Sequence, residues 1–91
     1  MSDIFRDWSF GGILRTYRVK EKITLREMCR MNGWDAGNYS KLETSKFDPP
    51  NTITTIRKLT QPLAINDTAF DFLCMAAFNF HLGKLKADFE K

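Results

Sequence analysis

Asn38 and Lys41 are polar side chains able to hydrogen-bond a partner, Asn38 as donor and acceptor and Lys41 as donor. Three positions apart, they share a face if the segment is helical. Ala36 and Gly37, just before them, are small enough for close approach. No catalytic set competes with this one. His81 has Asp71 and Asp88 as helix-spaced carboxylate neighbours but no nucleophile, so it reads as structural. Cys29 and Cys74 lie 45 positions apart, and with one histidine they make neither a disulfide framework nor a four-ligand zinc set. They read as reduced, packed cysteines. The expectation is a non-enzymatic chain with no metal and no cofactor.

Helices must position these residues, because the apolar spacing is helical throughout and nowhere strictly alternating. Punctuation falls at Gly11-Gly12, Gly33, Gly37, Pro49-Pro50, Pro62 and Gly83. Phe10, Ile13, Leu14 and Tyr17 make one apolar face of a first helix, from near Ser9 to about Lys20. Ile4, Phe5 and Trp8 ahead of it suit a short extra turn over the core. Thr24 and Glu27 have capping-box spacing and open a second helix, with Leu25, Met28 and Cys29 inward and Arg26 and Arg30 outward. Gly33 ends it. Asp35 caps a third helix, Ala36 to about Thr44, with Tyr39 and Leu42 as its apolar stripe. Asn51 or Thr52 caps a fourth, carrying Ile53, Ile56 and Leu59 and ending before Pro62.

The last helix, from about Thr68 to Leu82 behind an Asn66 or Asp67 cap, is apolar nearly all round. Phe70, Leu73, Ala77 and Phe80 line one face, and Phe72, Met75, Ala76 and Phe78 fill much of the rest. Such a helix needs cover on more than one side. Either the 83–91 tail, with Leu85 and Phe89, folds back over it, or a second subunit covers it. We expect a homodimer, with Phe72, Met75, Phe78, Leu82, Leu85 and Phe89 at the interface.

With 91 residues, the chain makes a single domain with a thin core and little room for a substrate cleft. Its expected parts are an N-terminal extension over 1–9, a core over 10–63, and a C-terminal helix and tail over 64–91. Apolar residues are 43% and charged residues 27%, which argues against global disorder. No apolar run suits a membrane span and no secretory leader is visible, so a cytoplasmic location is expected. The net charge of +3 is unevenly placed: residues 13–58 carry +5, and the segments on either side carry −1 each. A basic middle suits a polyanionic partner.

Two short helices joined at Gly33 suggest a helix-turn-helix, which needs a small residue where its helices cross. Cys29 stands there, four residues before the glycine. Residues 14–50 resemble the phage-repressor-like helix-turn-helix family, the XRE family. Leu14, Arg15 and Arg18 match its first part, Thr24, Glu27, Met28, Cys29 and Gly33 its second, and Tyr39, Ser40, Leu42, Glu43 and Pro50 its third. The resemblance implies a lambda-repressor-like domain; with the helical spacing above, the expected fold is all-α with five helices and a long apolar C-terminal helix. It also implies a bacterial or phage transcriptional regulator, a repressor, binding an inverted-repeat double-stranded DNA operator as a dimer. By the same resemblance, Ala36, Gly37, Asn38, Lys41 and Thr44 would contact bases. Arg15, Arg26, Ser40, Lys46 and the amide end of the second helix at Leu25 would hold phosphates. Arg18 and Glu43 would form a partly buried salt bridge.

Three positions depart from the family pattern. Asn32 stands where an apolar residue is usual, with bulky Trp34 just after the turn. Asp35 replaces Ser or Thr as the cap, and its carboxylate would repel a nearby phosphate. Gly37 costs its helix roughly 0.5–1 kcal/mol against alanine. The alternative reading is an antitoxin or adaptor with the same fold, its aromatic C-terminal helix gripping a partner protein or toxin.

Overall fold

The serine, threonine, aspartate and asparagine caps start helices where their side chains can take an unpaired amide. The result, in a computed structural model describing residues 9–89, is five helices and no strand among the described residues. Ile4, Phe5 and Trp8 lie outside those residues. Helix α1 (Phe10–Lys20) begins where Ser9 Oγ accepts from the Gly12 amide at 3.1 Å, which makes Ser9 its cap. Gly11 and Gly12 do not punctuate the chain; both are buried inside α1.

Helix α2 (Leu25–Asn32) starts with a reciprocal capping box. Thr24 Oγ1 accepts from the Glu27 amide at 3.1 Å, and the Glu27 carboxylate accepts from the Thr24 amide at 2.9 Å. Gly33 ends it at φ 80°, a left-handed conformation that a Cβ would strain. Helix α3 (Ala36–Glu43) is capped by Asp35, which accepts from the Asn38 amide at 3.0 Å. Helix α4 (Ile53–Thr60) is capped by Thr52. Its Ile56 and Leu59 are buried, but Ile53, grouped with them by spacing, faces solvent.

Helix α5 (Asp67–Phe89) has 23 residues, and Asn66 accepts from its Ala69 amide at 2.8 Å. The helix passes straight through Gly83 instead of stopping near Leu82, so residues 83–89 do not fold back over its apolar faces. One glycine costs only about 1 kcal/mol within a helix. The next residue, Lys84, makes an exposed ion pair with Asp48 at 2.9 Å.

One core joins the helices. Phe10 and Leu14 of α1, Met28 and Cys29 of α2, Tyr39 and Leu42 of α3, and Ile56 and Leu59 of α4 meet Leu73 and Ala77 of α5. The C-terminal helix is therefore part of the main core along its first half. Helix α1 packs on α3 and α5, α2 on α3 and α4, and α4 on α5. None of the described helices is long and apolar enough to cross a membrane.

Candidate functional site

The short helix α3 has two unlike sides. Tyr39, Leu42 and Glu43 are buried, Ser40 is half-buried, and Ala36, Gly37, Asn38, Lys41 and Thr44 are exposed. Eight residues make a helix too short to be stable alone, so the buried side must hold it in place. It is braced twice by α1. An ideal Cβ on Gly11 would lie 2.3 Å from the Leu42 carbonyl oxygen and 2.6 Å from that of Glu43. Only a bare backbone fits, and the amino end of α1 thereby faces the carbonyl end of α3, a favourable alignment of helix dipoles.

Two turns along α1, the Arg18 guanidinium grips the Glu43 carboxylate. Nε donates to Oε2 at 2.7 Å and Nη2 to Oε1 at 3.0 Å, while Nη1 donates to the Ile23 carbonyl at 2.7 Å. The residues are only 8% and 4% exposed, so the pair is a buried fork. Hydrogen bonding to Glu43 holds the Arg18 pKa above its ordinary value. The Tyr39 hydroxyl is buried near this pair without a well-formed hydrogen bond. Burial, then the charge of Glu43, pushes its phenol far above the usual range.

The turn between α2 and α3 is organised by Asn32 and Trp34. Asn32 Oδ1 accepts from the Trp34 amide at 2.9 Å, and its Nδ2 donates to the Leu59 carbonyl at 3.3 Å. One amide thus closes the turn and ties it to α4. The Trp34 indole stands edge-on to Tyr39, centroids 6.5 Å apart, so its bulk is absorbed as an aromatic contact.

At the other end of α3, Ser45 adopts φ 64°. The amides of Lys46 and Phe47 both donate to the Lys41 carbonyl, at 2.8 and 3.1 Å. The reversal places the half-exposed Phe47 ring beneath Lys41, whose Nζ lies 5.4 Å from the ring centroid. Phe47 escaped the sequence reading, since its link to Lys41 depends on that left-handed turn. Thr44 spends its hydroxyl hydrogen within the helix, on the Ser40 carbonyl at 2.9 Å, and keeps its oxygen lone pairs to accept.

The expected phosphate-holding groups stand on separate segments. Arg15 of α1, Arg26 of α2 and Lys46 after α3 are all exposed. Leu25 is half-buried, but its backbone amide lies in the first turn of α2, where amides lack intrahelical acceptors. Asp35 and Glu27 place carboxylates at the amino ends of α3 and α2, opposing any phosphate there. The backbone amide and hydroxyl of Thr24 hold the Glu27 carboxyl below its ordinary pKa.

The His81 Nε2 bonds the Pro49 carbonyl at 2.9 Å and helps moor the loop after α3 to α5. Cys29 is buried and Cys74 half-buried, both are free, and burial raises both thiol pKa values. No cluster of three metal-ligating side chains occurs among the described residues. Of the six side chains expected at a dimer interface, all are exposed. At 100° per residue, however, Phe72 lies about 100° from the mean direction of the other five, and it lines a separate pocket with Tyr17 and Lys20. Comparisons with protein-family models, curated proteins and solved structures return no match for this chain.

Proposed function

We propose that this chain is a sequence-specific, double-stranded DNA-binding transcriptional regulator of the phage-repressor-like helix-turn-helix class, with α3 as its recognition helix. The observation that supports this most is the two-sided character of α3. Its small and polar residues Ala36, Gly37, Asn38, Lys41 and Thr44 point outward, while Gly11, Arg18 and the core hold its other side rigid. A major groove accepts a helix presented this way. Lys41, steadied over Phe47, donates to guanine, and Asn38 bridges adenine. Arg15, Arg26, Ser40 and Lys46 meet phosphates, while the Glu27 carboxylate disfavours one at the amino end of α2. The role is recognition and not catalysis.

Two copies would read half-sites about 34 Å apart on an inverted repeat. With roughly three or four phosphates neutralised per copy, log affinity should fall against log salt with a slope on the order of −6. Selection from a random duplex pool tests the reading, and a two-fold symmetric consensus is expected. Lys41→Ala should relax one base position, whereas Lys46→Ala should weaken all sequences alike. If no duplex is enriched, or if Lys41→Ala leaves preference and affinity unchanged, the assignment is wrong. The rival reading, a protein-interaction module, draws on the exposed apolar residues of α5; a stable heteromer with a second protein and no selected DNA would favour it.

A further inference from the structure

Along the outer side of α5, Met75, Phe78, Leu82, Leu85 and Phe89 follow one another at intervals of three, four, three and four residues. This is the spacing of a helix-pairing seam, in which apolar residues recur every 3.5 positions and meet an identical stripe. All five are 40–81% exposed, and the buried residues Ala69, Leu73 and Ala77 lie on another side of the helix. The stripe is thus additional to the helix's contribution to the core.

Its two ends differ in shape. At the amino end, Met75 and Phe78 join Ile53 and Ile56 of α4 in lining an open apolar groove of about 320 Å³. This accounts for Ile53, which is 60% exposed. At the carboxyl end stands Phe89, 81% exposed, beyond the last mooring of the helix, where Lys84 meets Asp48. Groove and aromatic knob are 14 residues apart on one helix, about 21 Å at 1.5 Å per residue.

Leu82 is the midpoint of the stripe: Met75 and Phe89 lie seven positions either side, and Phe78 and Leu85 four and three. We infer that a second copy of this chain pairs antiparallel along α5 about Leu82, each Phe89 entering the groove between Ile53, Met75 and Phe78 of the other copy. A parallel pair would set groove beside groove and knob beside knob. The antiparallel pair fills both grooves at once, as an isologous two-fold interface requires. With Ile53 included, the stripe offers on the order of 600 Å² of apolar surface per chain. Two copies would then bury roughly 1,200 Å², within the range of specific interfaces.

This deepens the DNA-binding reading by supplying its two-fold axis, yet its test uses no DNA, so either can fail without the other. Sedimentation of the full chain should show a dimer at micromolar concentration. Leu82→Asp should weaken self-association at least tenfold while far-ultraviolet circular dichroism shows the helices intact. Phe72→Asp, off the seam, should stay dimeric. Orientation is read in a Cys74→Ala background carrying Asn79→Cys and Lys86→Cys, exposed positions beside the seam. Oxidation should join position 79 of one copy to position 86 of the other, identified by mass spectrometry of the linked peptides. A monomeric wild-type chain, a dimeric Leu82→Asp, a monomeric Phe72→Asp, or a dimeric cysteine variant without the 79–86 link would each overturn the proposal.

Discussion

Replacing Gly11 with alanine separates two opposed effects by sign. In an open helix, glycine to alanine stabilises by roughly 0.5–1 kcal/mol, because alanine loses less backbone freedom on folding. Gly83 is such a site, with nothing within 4 Å of an added Cβ. At Gly11 the added carbon would lie 2.3 Å from the Leu42 oxygen, 2.6 Å from the Glu43 oxygen and 2.8 Å from the Glu43 carbonyl carbon. These are backbone atoms, and none can rotate away. The shortest contact must lengthen by about 1 Å to reach ordinary van der Waals separation. Only a shift of α1 against α3 can supply that, and the shift also stretches the Arg18–Glu43 fork. Overpacking of this kind costs about 1–3 kcal/mol, which exceeds the alanine gain. Gly11→Ala should therefore lose on the order of 1–2 kcal/mol in urea unfolding at unchanged slope, whereas Gly83→Ala should gain several tenths. If Gly11→Ala proves as stabilising as Gly83→Ala, the close crossing of α1 and α3 does not exist, and α3 loses its main brace.

Glu43→Ala strands a buried guanidinium and should cost on the order of 3 kcal/mol; a urea melt losing less than half of that would mean the pair is effectively solvated. Asn32→Ala removes both turn hydrogen bonds and should cost about 1–2 kcal/mol, with faster amide exchange at Trp34 as its local signature. Glu27, with its carboxyl pKa lowered in the folded state, stabilises above its unfolded pKa, and that contribution is lost as pH falls through its folded value. Glu27→Gln should therefore flatten the acid limb of the stability–pH curve, and an unchanged limb would show the capping box to be open in solution.

Helix starts were legible because capping is local chemistry. Thr24 with Glu27, Asp35, Thr52 and Asn66 each bond an amide three residues on, and Gly33 takes the left-handed turn that its position after α2 suggested. The two sides of α3 were legible for the same reason: residues three and four apart share a face whatever lies beneath. The end of α5 was not. Gly83 suggested a break, while Phe78, Leu82, Leu85 and Phe89 kept helical spacing that suited either continuation or a docked tail; the Lys84–Asp48 and His81–Pro49 bonds reach across more than 30 residues.

Local order in the sequence thus determined an all-helical chain and the outward set Ala36, Gly37, Asn38, Lys41 and Thr44. Tertiary structure alone decided that Gly11 is a contact and not a break, that Asn32 ties the turn to α4, and that Phe47 lies under Lys41. It also decided that Ile53 joins Met75 and Phe78 around an open groove. The reason is physical. Caps and helix faces are set by neighbours within about one turn, whereas these contacts depend on how closely helices distant in sequence approach, and packing density settles that only once the core has formed.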